Sequence, residues 1–376
     1  MTLLTETKPT LPGDWYYDAA HYQRELQAIW YRDWVCVGRA DEVPGEGDYL
    51  VATVGDQSII VVRAAEEAIQ AFHNTCRHRG SVICTDGSGS FRNGRIICPY
   101  HTWTYSLDGD LIATPYRVDT DDFCSSDYSL YKLHVDEWGG FVFVNLSDEP
   151  ETSLHDFLGA EAVNLANWPL ADLESVQQET TALQCNWKVF WENFQECYHC
   201  PRHHPELCKI VPMYKEALMS SHEPDGDDRV SDDLWRGMGE GKVTWTVDGQ
   251  TRLPFFDGLS DEDIKEGMVY ASFTASMFVV GHPDYVRSVR IYPTGPETTR
   301  LVVDWYLMPG IREEYSDEIE HMLELGRLVV KQDAALSDLN QLGLRSKAHK
   351  QGVLIPQEYE LWDFHEWLRS RLDSAR

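Results

Sequence analysis

The sequence predicts an α+β chain whose first half is antiparallel β and whose second half mixes helices with strands. Three observations carry this. From about Asp48 to Asn145, short β-rich runs alternate with turn signals: Asp48 to Val54, Ser58 to Val62, Gly94 to Ile97 and Gly139 to Val144. From Leu183 the pattern changes to an aromatic-rich helix, then a loop, then strands. From Ser316 to about Leu344, Ile319, Met322, Leu323, Val329, Val330, Leu336 and Leu339 recur at helical spacing, which predicts one long amphipathic helix.

The remaining segments follow in order. Thr152 to Ala171 is polar and helix-compatible. Ser220 to Asp263 is rich in Asp, Glu and Gly, with Asp225-Gly-Asp-Asp among them, and predicts a long loop holding one hairpin. Val286 to Tyr292 and Arg300 to Met308 alternate and flank Pro293-Thr-Gly-Pro, which predicts a hairpin. A length of 376 residues suits two domains.

Composition excludes several classes of function. The formal charge of −30 repels phosphate backbones and anionic headgroups, so nucleic-acid and membrane-surface roles are not expected. No apolar run is long enough to cross a bilayer, and Met1 to Asp18 lacks the pattern of a signal peptide, so a soluble cytoplasmic protein is expected. Nine cysteines, an odd number in a long chain without such a signal, argue against a disulfide framework and for metal ligation or burial.

Four of those ligand-type residues form two short pairs, Cys76-Arg-His78 and Cys98-Pro-Tyr-His101. A zinc finger normally puts both cysteines in one pair and both histidines in the other. Here each loop offers one of each, which suits a Rieske [2Fe-2S] centre, with two thiolates on one iron and two imidazoles on the other. Zinc is the alternative. Gly80 lets backbone amides approach such a cluster, and Cys84 and Cys124 are expected to be core thiols.

A second dense segment runs from Asn186 to Pro205. Trp187, Phe190, Trp191 and Phe194 make an apolar stripe, and Glu192, Glu196, His199 and His203 fall along one face if the segment is helical throughout. Two histidines and a carboxylate with open positions form the ligand set of non-haem Fe(II) oxygenases. The long C-terminal helix supplies a candidate carboxylate, since Asp333 falls on its apolar face, where a buried acid calls for a metal or cationic partner. Helical spacing pairs His199 with His203.

Together these residues resemble the terminal oxygenase (alpha) subunit of Rieske non-haem iron oxygenases, over nearly the whole chain and in the expected order. The resemblance implies an N-terminal helical or irregular segment (1–40), a Rieske [2Fe-2S] β domain (41–155) and a helix-grip catalytic domain (156–376). It implies cluster ligands Cys76, His78, Cys98 and His101, and iron ligands His199, His204 and Asp333. The family pattern thus favours His204 over His203. It further implies a homotrimer in which the cluster of one subunit reduces the iron of the next through Glu196.

Glu at that bridging position, in Asn193-Phe-Gln-Glu-Cys-Tyr-His-Cys, is similar to the branch acting on quaternary ammonium compounds such as glycine betaine, carnitine, stachydrine and choline. The implied reaction is hydroxylation beside nitrogen followed by loss of an aldehyde. A trimethylammonium group is held by aromatic faces, for which Phe190, Tyr198, Phe278 and Tyr285 are candidates. Gly237, Gly239 and Gly241 do not form a dinucleotide fingerprint, so NAD(P)H is expected to act through a separate flavin and [2Fe-2S] reductase, with O2 as cosubstrate. Aromatic-ring hydroxylation is the chemical rival. An electron carrier or redox sensor using the Rieske domain alone is the rival of another class.

Overall fold

The computed structural model describes residues 3–218 and 237–374. The chain forms two compact units, one of Ile29–Phe157 and one that joins Met1–Ala28 to Leu158–Arg376.

The first unit is antiparallel β, as its alternating pattern predicts. Seven strands pair in the order Val35–Arg39, Phe141–Asn145, Lys132–Trp138, Ala68–His73, Gln57–Ala65, Asp48–Val54 and Ser88–Ser90. A smaller sheet holds Arg95–Ile97, Thr104–Ser106 and Leu111–Ala113. Ile59 to Val62 is a continuous apolar run because both faces of its strand are covered. Ile60, Val62, Phe72, Ile96, Tyr105 and Leu111 pack around Cys76 and Cys98. Each buried branched or aromatic side chain contributes about 1.5–3 kcal/mol to holding these loops in place.

The second unit is α+β. Its sheet runs Glu174–Leu183, Thr298–Leu307, Val286–Gly295, Met277–Gly281 and Val269–Phe273, all antiparallel. The expected hairpin forms, but Pro293 pairs inside the strand with Thr299, and the chain reverses at Gly295 and Thr298 instead.

The long helix spans Ile319–Leu344. Its apolar stripe stops early: Leu339 is 66% exposed, while Ser337 and Gln341 are the buried positions of the last turns. Gln341 explains this, because it accepts from the Asn186 N–H at 2.9 Å and donates to the Tyr16 carbonyl at 3.0 Å. A further helix, Tyr359–Ser374, buries Leu361, Phe364, Leu368 and Leu372 at helical spacing.

Of the stretch from Ser220 to Asp263, residues 220–236 lie outside the described residues, Asp225-Gly-Asp-Asp included, and residues 237–260 form no strand. Thr152 to Ala171, helix-compatible in sequence, holds a short α-helix, Leu154–Leu158, and a 3-10 helix, Gly159–Leu165. Among the described residues no helix is long and apolar enough to cross a membrane.

Candidate metal centres and substrate cleft

The two Cys/His pairs lie on loops that fold alike. In the first, the Cys76 N–H bonds the Ser81 carbonyl and the Gly80 N–H bonds the Cys76 carbonyl, both at 2.9 Å. In the second, Cys98 N–H bonds Trp103 and Thr102 N–H bonds Cys98, at 2.9 and 3.0 Å. The fifth residue of each loop takes positive φ, +74° at Gly80 and 60° at Thr102, so glycine meets this turn without strain and threonine meets it at some cost.

Cys76 and Cys98 are buried, whereas His78 is exposed and His101 half-buried, their rings 4.7 Å apart. Thiols inward and imidazoles outward fit the split ligand set of a Rieske cluster. The Tyr105 hydroxyl lies 3.2 Å from Cys76 Sγ, placed to hydrogen-bond a thiolate. Cys84 is a core thiol pushed up to about 12 by burial, but Cys124 is exposed, against expectation.

In the other unit the ligand segment begins with the helix Trp187–Phe194. Asn186 caps it, accepting from the Lys188 N–H at 3.0 Å. Lys188 is fully buried and paired with Glu25 at 2.5 Å, and Glu25 also accepts from Trp187 Nε1 at 2.9 Å. These contacts fix the helix that leads into the site.

The helix then ends, which corrects the expectation of one continuous ligand face. Cys200–His203 is a separate turn with His199 as its N-cap and Pro201 in its first turn, where the missing N–H costs nothing. Glu192 faces away from the histidines and binds Tyr16 Oη and His365 Nε2, at 2.6 and 2.9 Å. Cys197 and Cys200 form a disulfide, which the cysteine count argued against. The break brings His204, not His203, round to face His199.

His199 Nε2, His204 Nε2 and Asp333 Oδ1 form a triangle with edges of 3.1, 2.8 and 3.4 Å. Donors about 2.1 Å from an ion and at right angles to each other are about 3 Å apart, so these three can share one ion on one face. Each histidine is also fixed from behind. His199 Nδ1 lies 2.6 Å from Glu196 Oε1, and His204 Nδ1 lies 2.7 Å from Gln332 Oε1, leaving both Nε2 atoms free for a metal. Glu196 additionally accepts from the backbone N–H groups of Tyr198 and His199. Burial opposes a charge on His199, yet Asp333 and Glu196 raise its imidazole to about 9. The donor set attracts positive charge, as a divalent-ion site must.

These donors open into a cleft of about 570 Å³ lined by Phe190, Phe194, Tyr214, Trp245, Tyr270 and Phe278. Phe194 and Phe278 stack with centroids 3.6 Å apart. Strand register places Tyr270, Phe278, Arg287 and Val289 on the same face of the sheet.

Comparisons with known proteins follow this division of the chain. Residues 33–124 match the Rieske [2Fe-2S] domain, and residues 170–374 match the ring hydroxylating alpha subunit (catalytic domain). The chain belongs to the Rieske non-haem iron oxygenase alpha subunits. This oxygenase is 31% identical to the glycine betaine monooxygenase oxygenase subunit of Chromohalobacter salexigens, over 97% of this chain and 87% of that one. It is 26% identical to the chloroplastic choline monooxygenase of Beta vulgaris, over 96% and 77%. Its fold is similar to that of the quaternary ammonium Rieske monooxygenase CntA in complex with L-carnitine, at a TM-score of 0.71 and 24% identity over 96% of each chain.

The oxygenase therefore carries a Rieske [2Fe-2S] cluster and a mononuclear iron, and the structure gathers donors suited to each. Of the expected substrate contacts, Phe190 and Phe278 line the cleft. Tyr198 and Tyr285 do not: Tyr198 is 56% exposed, and Tyr285 is buried with its hydroxyl donating to the Trp245 carbonyl at 3.1 Å. Sequence reasoning missed Phe194, Tyr214, Trp245, Tyr270, Gln332 and Arg287. Gln332, next to Asp333, and Phe194, on the same stripe as Phe190, carried a local signal.

Proposed function

We propose that this chain is the oxygenase component of a monooxygenase that hydroxylates and N-demethylates a quaternary ammonium compound such as glycine betaine. The observation that carries the reading is the His199, His204 and Asp333 triangle opening into an aromatic cleft. A trimethylammonium group donates no hydrogen bonds and is held by ring faces, each contact worth about 0.5–2 kcal/mol. The names of the glycine betaine and choline relatives support the same substrate class.

In this reading Cys76, His78, Cys98 and His101 hold the cluster, and His199, His204 and Asp333 hold the iron. The metal centres supply electron delivery and reductive activation of O2 when bound. The rest is the work of side chains. Phe194, Phe278, Tyr270 and Trp245 orient the methyl groups toward the donor triangle, and Glu196 and Gln332 hold the two imidazoles in their tautomers. By family resemblance, Glu196 is also the acid through which electrons arrive from a neighbouring subunit of a homotrimer.

The net reaction takes R–N(CH3)3⁺, O2, NADH and H⁺ to R–NH(CH3)2⁺, formaldehyde, NAD⁺ and water. Hydroxylation of one methyl group gives a hemiaminal, whose C–N bond breaks to release formaldehyde while the proton stays with the amine. NADH is consumed through a separate reductase. Incubation of iron-loaded protein with reductase, NADH and O2 is expected to release formaldehyde from a quaternary ammonium compound. Ring hydroxylation of an aromatic acid without formaldehyde would replace this reading with the aromatic one. Replacing Cys76 by Ser is expected to remove the cluster spectrum and the activity together.

A further inference from the structure

Arg287 stands on the central strand Val286–Gly295 and lines the same cleft as the donor triangle. It is 4% exposed, its Nε has no hydrogen-bond partner, and no acid among the described residues pairs with it. Its guanidinium lies over the Trp245 ring at 5.3 Å. Arg290, three residues along and equally buried, is a contrast: Asp304 binds its Nη2 at 2.7 Å. A buried charge without a counter-ion is costly, so among the described residues, which supply an acid for one arginine and none for the other, the second stands ready to be neutralised by a bound anion.

We infer that Arg287 anchors a carboxylate of the substrate, so that the oxygenase takes a zwitterionic betaine in preference to a simple quaternary cation. The inference rests on the proposed N-demethylation and narrows it. Gly326 makes room for the guanidinium, because a Cβ there would lie 3.3 Å from Arg287 Nη1. Gly326 and Asp333 are seven residues apart on one helix, about 10 Å of rise. That length suits a short molecule with its carboxylate on Arg287 and one methyl group turned toward His199, His204 and Asp333. A cation without an anionic group meets instead an uncompensated guanidinium in a low-dielectric cleft, which selects against it.

The test compares glycine betaine with choline in formaldehyde release, for the wild type, Arg287→Met and Arg287→Lys. The wild type is expected to favour betaine in kcat/KM by on the order of 100-fold. Arg287→Met should lose most of that preference through a raised KM for betaine, and Arg287→Lys should restore part of it. Anaerobic calorimetry with 3,3-dimethylbutanoate, the carbon isostere of glycine betaine, reads the anchor without any turnover. It should bind the wild type at least 10-fold more tightly than Arg287→Met. Equal use of choline and betaine by the wild type would overturn the inference. So would a variant, with cluster and iron content intact, that lost both substrates in proportion. Arginine-dependent binding of the isostere with no formaldehyde from any quaternary compound would sustain the anchor and sink N-demethylation.

Discussion

His204 Nε2 lies 2.8 Å from Asp333 Oδ1, joining a histidine at the end of a single helical turn to an acid on a helix 129 residues later in the chain. The contact exists because the ligand helix stops at Phe194 and restarts as Cys200–His203, with His204 as its C-cap. His203 stays half-buried, outside the donor triangle. His204→Ala is therefore expected to abolish binding of the third, non-cluster iron, and His203→Ala to retain it. Iron and sulfide content of the purified variants checks this, and loss of that iron in His203→Ala alone would reverse the assignment.

Gln332 accepts from His204 Nδ1 at 2.7 Å and so holds the tautomer whose Nε2 faces the metal. Removing such a partner typically costs 10–100-fold in metal affinity, about 1.4–2.7 kcal/mol. Gln332→Leu is expected to lose iron to a chelator at correspondingly lower concentration while its cluster spectrum is unchanged. Unaltered iron affinity would mean that the ring is held by other contacts.

The buried pair of Lys188 and Glu25 makes a prediction about stability rather than chemistry. Burial disfavours the charge on each, and their mutual attraction holds Glu25 below the usual carboxylate range. Lys188→Met would leave that carboxylate only Trp187 and His21 as partners, at a cost of up to about 3–5 kcal/mol, read as a lowered urea midpoint. The double variant Lys188→Met with Glu25→Gln should recover much of the loss.

His282 ties stability to pH. Burial first, and the charge of Arg287 second, push its imidazole down to about 3. The unfolded chain takes up that proton below about 6.5, so acidification from there toward about 3 favours unfolding. At pH 5 the loss is about 2 kcal/mol. Asp284 works the other way, since burial raises its carboxyl to about 6 and its native state loses stability as pH rises from the ordinary carboxylate range to that value. His282→Gln is expected to lose about 2 kcal/mol less than the wild type between pH 7 and pH 5 in urea unfolding. Parallel losses in the two proteins would contradict it.

The cluster ligands were legible because their chemistry is local: each loop carries one cysteine and one histidine within four residues. Asp333 was legible as an acid on an apolar helical face. The choice between His203 and His204 was not, because it depends on where a helix breaks. Neither was the cleft, whose walls come from strands and loops far apart in sequence. Tyr198 and Tyr285 are aromatic and close in sequence to other site residues, yet one points outward and the other is tied to the Trp245 carbonyl. Trp245 and Tyr270 meet, with centroids 6.3 Å apart, only once the sheet has formed. The helix Tyr359–Ser374 has apolar positions at helical spacing but lies beyond the long helix, the last element expected from the sequence.

The central claim is tested most directly by measuring formaldehyde released against NADH consumed, with glycine betaine, a compatible reductase and O2, for the wild type and Asp333→Ala. The account predicts one formaldehyde per NADH in the wild type, and none in the variant despite an intact, reducible cluster. Formaldehyde from the variant at the wild-type ratio, or betaine-dependent NADH loss in the wild type with no formaldehyde, would contradict it.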